Sequence, residues 1–234
     1  MKASVYLGNE QVELRDLDPP EKGSDEVTIQ VARAGICGTD LHIYLGHMDE
    51  RVDMPLVMGH EMCGEVVETV QGSDVRVGDR VVVEPTVWCG RCAACRRGHG
   101  HICQNLNFLG IDSSGAFQQF WNVPSDRLHK IPKSLGDDAG ALIEPLAVAV
   151  HDMRRAGVEL GDRAVVVGGG PIGMLVAMMA RLDGAEVVIS EVNPFRLKKA
   201  KELGFDTVDP TTDDLKEYVE NWTDGAGVDL VFEV

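Results

Sequence analysis

The stretch that decides the fold is RAVVVGGGPIGMLVAMMARLDGAEVVIS, residues 163–190. A continuous apolar run ends in three glycines. An apolar segment of helical length follows, then a second β-branched run and an amphipathic segment, NPFRLKKAKELG (193–204). Strand, tight turn, helix, strand and helix in that order make a βαβ unit. Strands that are apolar throughout, without alternation, are those buried on both faces of a parallel, doubly wound sheet.

The turn between strand and helix carries Gly168, Gly170 and Gly173 in G-x-G-x-x-G spacing, with Pro171 and Ile172 between the last two. Such spacing is weak by itself, but here it follows a strand and opens a helix, as a dinucleotide-binding turn requires. The first glycine permits the tight turn. The second lets the backbone approach a pyrophosphate, and the helix N-terminus offers its N–H groups to the phosphates. Eighteen residues beyond Gly173 stands Glu191, placed to accept hydrogen bonds from the adenosine ribose. Its charge disfavours the extra phosphate of NADP, so NAD is the expected cofactor.

Upstream of about Pro132 the texture changes to short runs broken by turn residues. EVTIQVARA (26–34), GEVVETV (64–70) and GDRVVVEP (78–85) predict strands of an antiparallel β domain. A helix is predicted from about Asp138 to Arg155, and the join between two domains, 1–145 and 146–234, falls in or just after it.

WCGRCAACRRGHGHIC (88–103) places thiols at Cys89, Cys92, Cys95 and Cys103. Two-residue spacers let neighbouring thiolates converge on one ion, as in a tetrahedral zinc site or an iron–sulfur cluster. Four sulfurs with no open position suit a structural Zn²⁺ better. Such an ion cannot also bind substrate, so the chemistry belongs elsewhere.

A second donor set is Cys37 in AGICGTDLHIYLG, His60 and Glu61 in PLVMGHEMCGEV, and Glu144 in ALIEPLAVAVH. One thiolate, one imidazole and one carboxylate give the mixed, three-ligand sphere of a catalytic zinc, with a position left for water or substrate. Thr39 and His42 follow Cys37 closely. A hydroxyl and an imidazole there could carry a proton from a bound alcohol to water.

Bulk properties exclude other classes. The 234 residues carry a net charge of -16, which opposes nucleic acid, since phosphate binding needs a basic face. No apolar run is long enough to span a bilayer, and the N-terminus lacks the apolar core of a secretory signal. A cytoplasmic protein without membrane partners is expected, its six cysteines free or metal-bound rather than paired.

Taken together, GICGTDLH, GHEMCGEV, GDRVVVEP, the CGRCAACRRGHGHIC lobe, EPLAVAVH and GGGPIG resemble a zinc-dependent medium-chain dehydrogenase, in order along the whole chain. The chain is most similar to the polyol (sorbitol-like), butanediol and threonine dehydrogenase branch. The resemblance implies a GroES-like antiparallel β domain with a structural zinc lobe, followed by a Rossmann domain. It implies two zinc ions, one catalytic through Cys37, His60 and Glu61, with Glu144 as an exchanging ligand, and one structural through Cys89, Cys92, Cys95 and Cys103. Thr39 and His42 match the proton relay, and Arg196 matches a residue flanking the adenosine. Cys63 matches no ligand and reads as a small buried residue.

The implied activity is hydride transfer between NAD and a secondary alcohol: a polyol, a diol or a threonine-like amino alcohol. Residues 146–234 cover the first mononucleotide half and one strand of the second, GAGVDLVFEV (225–234), so a C-terminally truncated Rossmann domain is expected. The full-length protein is expected to be a homo-oligomer, dimer or tetramer. The rival reading is a truncated, non-catalytic, zinc-stabilised binding module.

Overall fold

Turn residues divide the first 144 residues into short strands that cannot stack into one flat layer. The computed structural model describes residues 1–234 and separates them into two compact units, Met1–Glu144 and Pro145–Val234.

In the first unit the elements are β1 (Lys2–Gly8), β2 (Gln11–Asp16), β3 (Glu26–Ala34), α1 (Gly38–Tyr44), β4 (Leu56–Val57), β5 (Met62–Glu68), β6 (Arg80–Val83), β7 (Thr86–Val87), β8 (Asn107–Phe108), β9 (Phe120–Pro124), β10 (Leu128–Lys130) and α2 (Asp137–Ala141). Three antiparallel sheets form, in the orders β2-β1-β4, β10-β6-β5-β3-β9 and β7-β8. The alternation read in EVTIQVARA puts Val27 and Ile29 wholly inside, against Val66, Val81, Val123 and Trp121. Each such side chain stabilises the fold by about 1.5–3 kcal/mol when fully buried. Trp121 keeps its indole satisfied by donating Nε1–H to the Ser114 carbonyl at 2.9 Å. Cys63 is fully buried beside Val82 and Ala141.

The helix expected over 138–155 is two helices, α2 and α3 (Ile143–Ala156), broken at Leu142. Pro145 explains the break. A proline ring clashes with the carbonyl four residues earlier, and that residue is Ala141, the last of α2. Glu144, whose placement matters below, therefore sits in the first turn of a new helix.

The second unit contains β11 (Arg163–Val167), α4 (Pro171–Leu182), β12 (Glu186–Ser190), α5 (Pro194–Glu202), β13 (Asp206–Val208), α6 (Leu215–Trp222) and β14 (Leu230–Glu233). Its four strands are all parallel, in the order β13-β12-β11-β14. β11 is central, so Val166 is fully buried with Val176, Ala177 and Ala180 of α4 and Ile189 of β12. The order doubles back at β11, and ligands of such sheets bind beyond the carboxyl ends of the strands at that point.

Candidate functional site

At the mixed-donor cluster, β3 runs out at Ala34 and the chain turns through Gly35 into α1, with Cys37 as the N-cap of that helix. The Gly35 N–H donates to the Glu61 carbonyl at 2.7 Å, which ties the end of β3 to the start of β5. A Cβ at Gly35 would overlap the Glu61 carboxylate, so glycine is required for that side chain to point here. The ligand-capable atoms of Cys37, His60 and Glu61 all lie within 4.8 Å of one another.

The electrostatics suit a cation. His60 is buried and its pKa is pushed down to about 4 by desolvation, so the ring is neutral and able to offer a lone pair. Its Nδ1 has no hydrogen-bond partner, and neither has the buried Oδ1 of Asp40. Orphaned polar atoms of this kind each cost about 1–3 kcal/mol unless satisfied. Burial raises the pKa of Cys37, against hydrogen bonds from Thr39, and burial followed by the charge of Asp40 raises that of Glu61. A divalent cation reverses both shifts by favouring thiolate and carboxylate.

Glu144 stands outside this three-donor set. Burial first, and then the charge of Glu61, push its pKa up to about 7. Thr39 hydrogen-bonds the Cys37 sulfur. His42 follows it three residues later on α1, on the same face of the helix, and is exposed. Its Nδ1 meets the Nδ1 of His47 at 3.1 Å.

Asp40 is a residue that motif reading passed over. It accepts the Cys37 N–H at 2.8 Å, fixing the loop that carries Cys37, and the nearby Gly59 N–H favours its charged form. The signal was present in C-x-x-D, since an acid three residues after an N-cap commonly closes on the cap backbone.

In the lobe, the sulfurs of Cys89, Cys92, Cys95 and Cys103 form a second cluster within 4.8 Å. The Cys92 and Cys95 sulfurs are 3.4 Å apart, and those of Cys92 and Cys103 3.9 Å. No disulfide forms. Backbone N–H groups of Cys89 and Asn105 point at the Cys103 sulfur, each at 3.3 Å. Those of Arg91 and Cys92 pull the Cys89 pKa down to about 6, which prepares thiolate. Four crowded sulfurs with backbone donors aimed at them are a donor set for a closed, tetrahedral metal.

In the second unit, Gly168 takes φ +107° to turn out of β11, and Gly170 is the N-cap of α4 with Pro171 as its first residue. A Cβ at Gly173 would overlap the Gly168 carbonyl oxygen, so the close approach of helix and turn demands glycine. No side chain caps α4, which leaves its first-turn N–H groups for an anion. Pro171 is exposed, while Ile172 packs against the core.

Glu191 is buried, and its carboxylate accepts three backbone N–H groups: Gly169 at 2.8 Å, Val192 at 2.7 Å and Asn193 at 2.8 Å. Arg196 approaches it at 3.5 Å. Burial works to raise the Glu191 pKa, but those N–H groups and Arg196 prevail and hold it below the usual carboxylate range.

Family models match both parts of the chain. Residues 23–133 match the alcohol dehydrogenase GroES-like domain, and residues 171–234 match the zinc-binding dehydrogenase domain. The chain is 48% identical over 235 residues to 2-dehydro-3-deoxy-L-galactonate 5-dehydrogenase of Pseudoalteromonas atlantica, covering 100% of this chain and 69% of that protein. It is 42% identical over 238 residues to L-threonine 3-dehydrogenase of Pyrococcus abyssi, covering 100% and 67%. The chain belongs to the zinc-dependent medium-chain dehydrogenase family.

Solved dehydrogenase structures share the fold. A protein of Escherichia coli CFT073 described as a short chain alcohol dehydrogenase and complexed with NADH superposes with TM-score 0.91 at 31% identity, covering 100% of this chain and 69% of that one. A Sinorhizobium meliloti 1021 protein described as a zinc-binding dehydrogenase and bound to NADP gives 0.91 at 35%, covering 99% and 69%. The expected GroES-like and Rossmann-type architecture is thereby shown, as is membership of the branch that contains polyol and threonine dehydrogenases. No helix is long and apolar enough to cross a membrane.

Proposed function

We propose that this dehydrogenase transfers a hydride between NAD and a secondary alcohol of a polyol, diol or hydroxylated acid or amine. The observation that carries the reading is the convergence of Cys37, His60 and Glu61 within 4.8 Å around a neutral, buried imidazole. A separate four-thiol lobe stands ready for a structural ion. Residues 1–145 are assigned as the catalytic domain and 146–234 as the dinucleotide-binding domain. A cytoplasmic homo-oligomer is the setting we assign it, in keeping with six free thiols.

Cys37, His60 and Glu61 would hold the catalytic zinc, with Glu144 as an alternative carboxylate. When bound, the ion supplies Lewis acidity that lowers the pKa of a substrate hydroxyl. Asp40 fixes Cys37 through its backbone N–H and so sets the direction of the thiol. Thr39 and His42, one helical turn apart, provide a hydroxyl and an imidazole that move the hydroxyl proton toward water. Cys89, Cys92, Cys95 and Cys103 would hold the structural ion.

For the cofactor, Gly168, Gly170 and Gly173 clear the backbone for a pyrophosphate, with Pro171 and Ile172 forming the first turn of the helix behind it. Glu191 offers a carboxylate to the adenosine ribose, and Arg196 flanks it. The choice of NAD rests on that negative charge, which resists a 2′-phosphate. Arg196 softens the repulsion, so the preference is graded.

The substrate class rests on the relative that acts on a hydroxylated sugar acid, together with the threonine dehydrogenases. The test is NAD reduction by the zinc-loaded full-length protein with a panel of sugar acids, polyols, butanediol and threonine. Turnover that is removed by a chelator and restored by Zn²⁺ supports the reading. Tight zinc binding with no turnover on any secondary alcohol would contradict it.

A further inference from the structure

We propose that His47 is a second imidazole in the proton path, receiving from His42 the proton that the reacting hydroxyl gives up. The inference rests on the alcohol-oxidising reading above and adds a residue to it. His42 Nδ1 and His47 Nδ1 lie 3.1 Å apart, with ring centroids 5.4 Å apart and planes inclined by 41°. Two neutral imidazoles bond through their Nδ1 atoms only when one carries Nδ1–H and the other presents a bare Nδ1. The pair is therefore matched in tautomer, and a proton can cross it.

The chain brings His47 back to His42 by defined bonds. α1 ends at Tyr44, and Gly46 adopts φ +77°, a conformation that favours glycine. The Gly46 N–H donates to the Ile43 carbonyl at 2.9 Å and the His47 N–H to the His42 carbonyl at 3.0 Å. The loop beyond is anchored twice. The buried Tyr6 hydroxyl donates to Asp49 at 2.8 Å, and Arg51 grips Asp112 through two bonds of 2.8 and 3.0 Å. Both imidazoles are nevertheless exposed, so the paired rings add little to the core. Their disposition fits transport better than packing.

The proton balance is simple. A proton arrives at His42 Nε2, and the proton on His42 Nδ1 passes to His47 Nδ1. His47 then releases its own Nε2 proton to water. One proton enters, one leaves, both rings end neutral, and each has exchanged tautomer. Exchange with solvent at both rings resets the pair. Without His47, His42 must hand its proton directly to a water that has to find the correct nitrogen.

Two readouts test this. In ¹⁵N-histidine NMR of the zinc-loaded chain, the His42 Nδ1 resonance should shift when His47→Phe removes its partner. In NAD reduction with the best secondary alcohol, His47→Gln should lower kcat about tenfold, less than the roughly 100- to 10,000-fold of a lost acid–base group because His42 still meets water. KM should be unchanged, and free imidazole should restore turnover. In a His42→Gln background, His47→Gln should cause no further loss, because the path is already cut. Wild-type kcat in His47→Gln, or an equal further loss in the His42→Gln background without imidazole rescue, would overturn the proposal. An unmoved His42 Nδ1 signal would overturn the pairing and the proposal with it. Absence of all turnover in the zinc-loaded wild type would instead sink the alcohol-oxidising reading, and this inference with it.

Discussion

Glu191 Oε2 accepts the Gly169 N–H at 2.8 Å, so the acid that follows β12 and the glycine turn that follows β11 are locked together. The same carboxylate holds the start of the loop into α5 through Val192 and Asn193. Its position fixes the turn, and in the proposed cofactor site it also faces the adenosine ribose.

Glu191→Ala should consequently show two effects at once. Loss of the buried partner of Gly169 costs about 1–3 kcal/mol of stability, visible as a lower Tm. Removal of a like charge worth about 1–4 kcal/mol against a 2′-phosphate should narrow the gap between NAD and NADP. Titration of 2′,5′-ADP and 5′-ADP against wild type and variant checks the second effect. A ratio of affinities that does not change would show that Glu191 is a clamp alone.

Glu144→Gln gives a pH-dependent stability test in the metal-free chain. The folded-state pKa of Glu144 is raised from 4.5 to about 7, so the folded state favours the protonated acid. Stability from this group is present below the unfolded pKa of 4.5 and is lost as pH rises through about 7. Above that the wild type bears a penalty of about 3 kcal/mol that glutamine lacks. Glu144→Gln should raise Tm at pH 8 and lose that advantage near pH 4.5. His60 contributes in the other direction, since its depressed pKa removes stability as pH falls from 6.5 to about 4. Comparing variant and wild type at each pH cancels that contribution. An equal Tm difference at both pH values would refute the assignment.

Cys95→Ser should act on the fold. The lobe has few apolar side chains of its own to bury, and a structural zinc contributes folding energy directly. A drop in thermal stability, with melting of residues 89–103 seen as fast amide exchange, is expected. Unchanged exchange across that segment would show that the lobe stands without its ion.

Much of this was legible because the motifs impose local backbone demands. Gly168 and Gly173 are irreplaceable for reasons visible in spacing alone, and the four lobe cysteines declare themselves by number. The β1–β2 hairpin was not legible. Its turn places Asn9 and Glu10 at φ +51° and +59°, and glutamate is seldom found there, so the usual Asn-Gly signal is missing. The break at Leu142 lay in a periodic run, and only the reach of Pro145 back to Ala141 reveals it. Asp40 and His47 were hidden for a related reason. Their surroundings, the Gly59 loop across the unit and His42 across a turn, are set by tertiary folding and not by any apolar period.

The most direct test of the central assignment is zinc stoichiometry in wild type and Cys37→Ser, measured by elemental analysis on protein of known concentration. On this assignment the two convergent donor clusters take two zinc ions per chain. Cys37→Ser should retain one, with the lobe intact and the Tm little changed. One zinc in the wild type, or two retained tightly in Cys37→Ser, would contradict the assignment of Cys37, His60 and Glu61 as the catalytic metal centre.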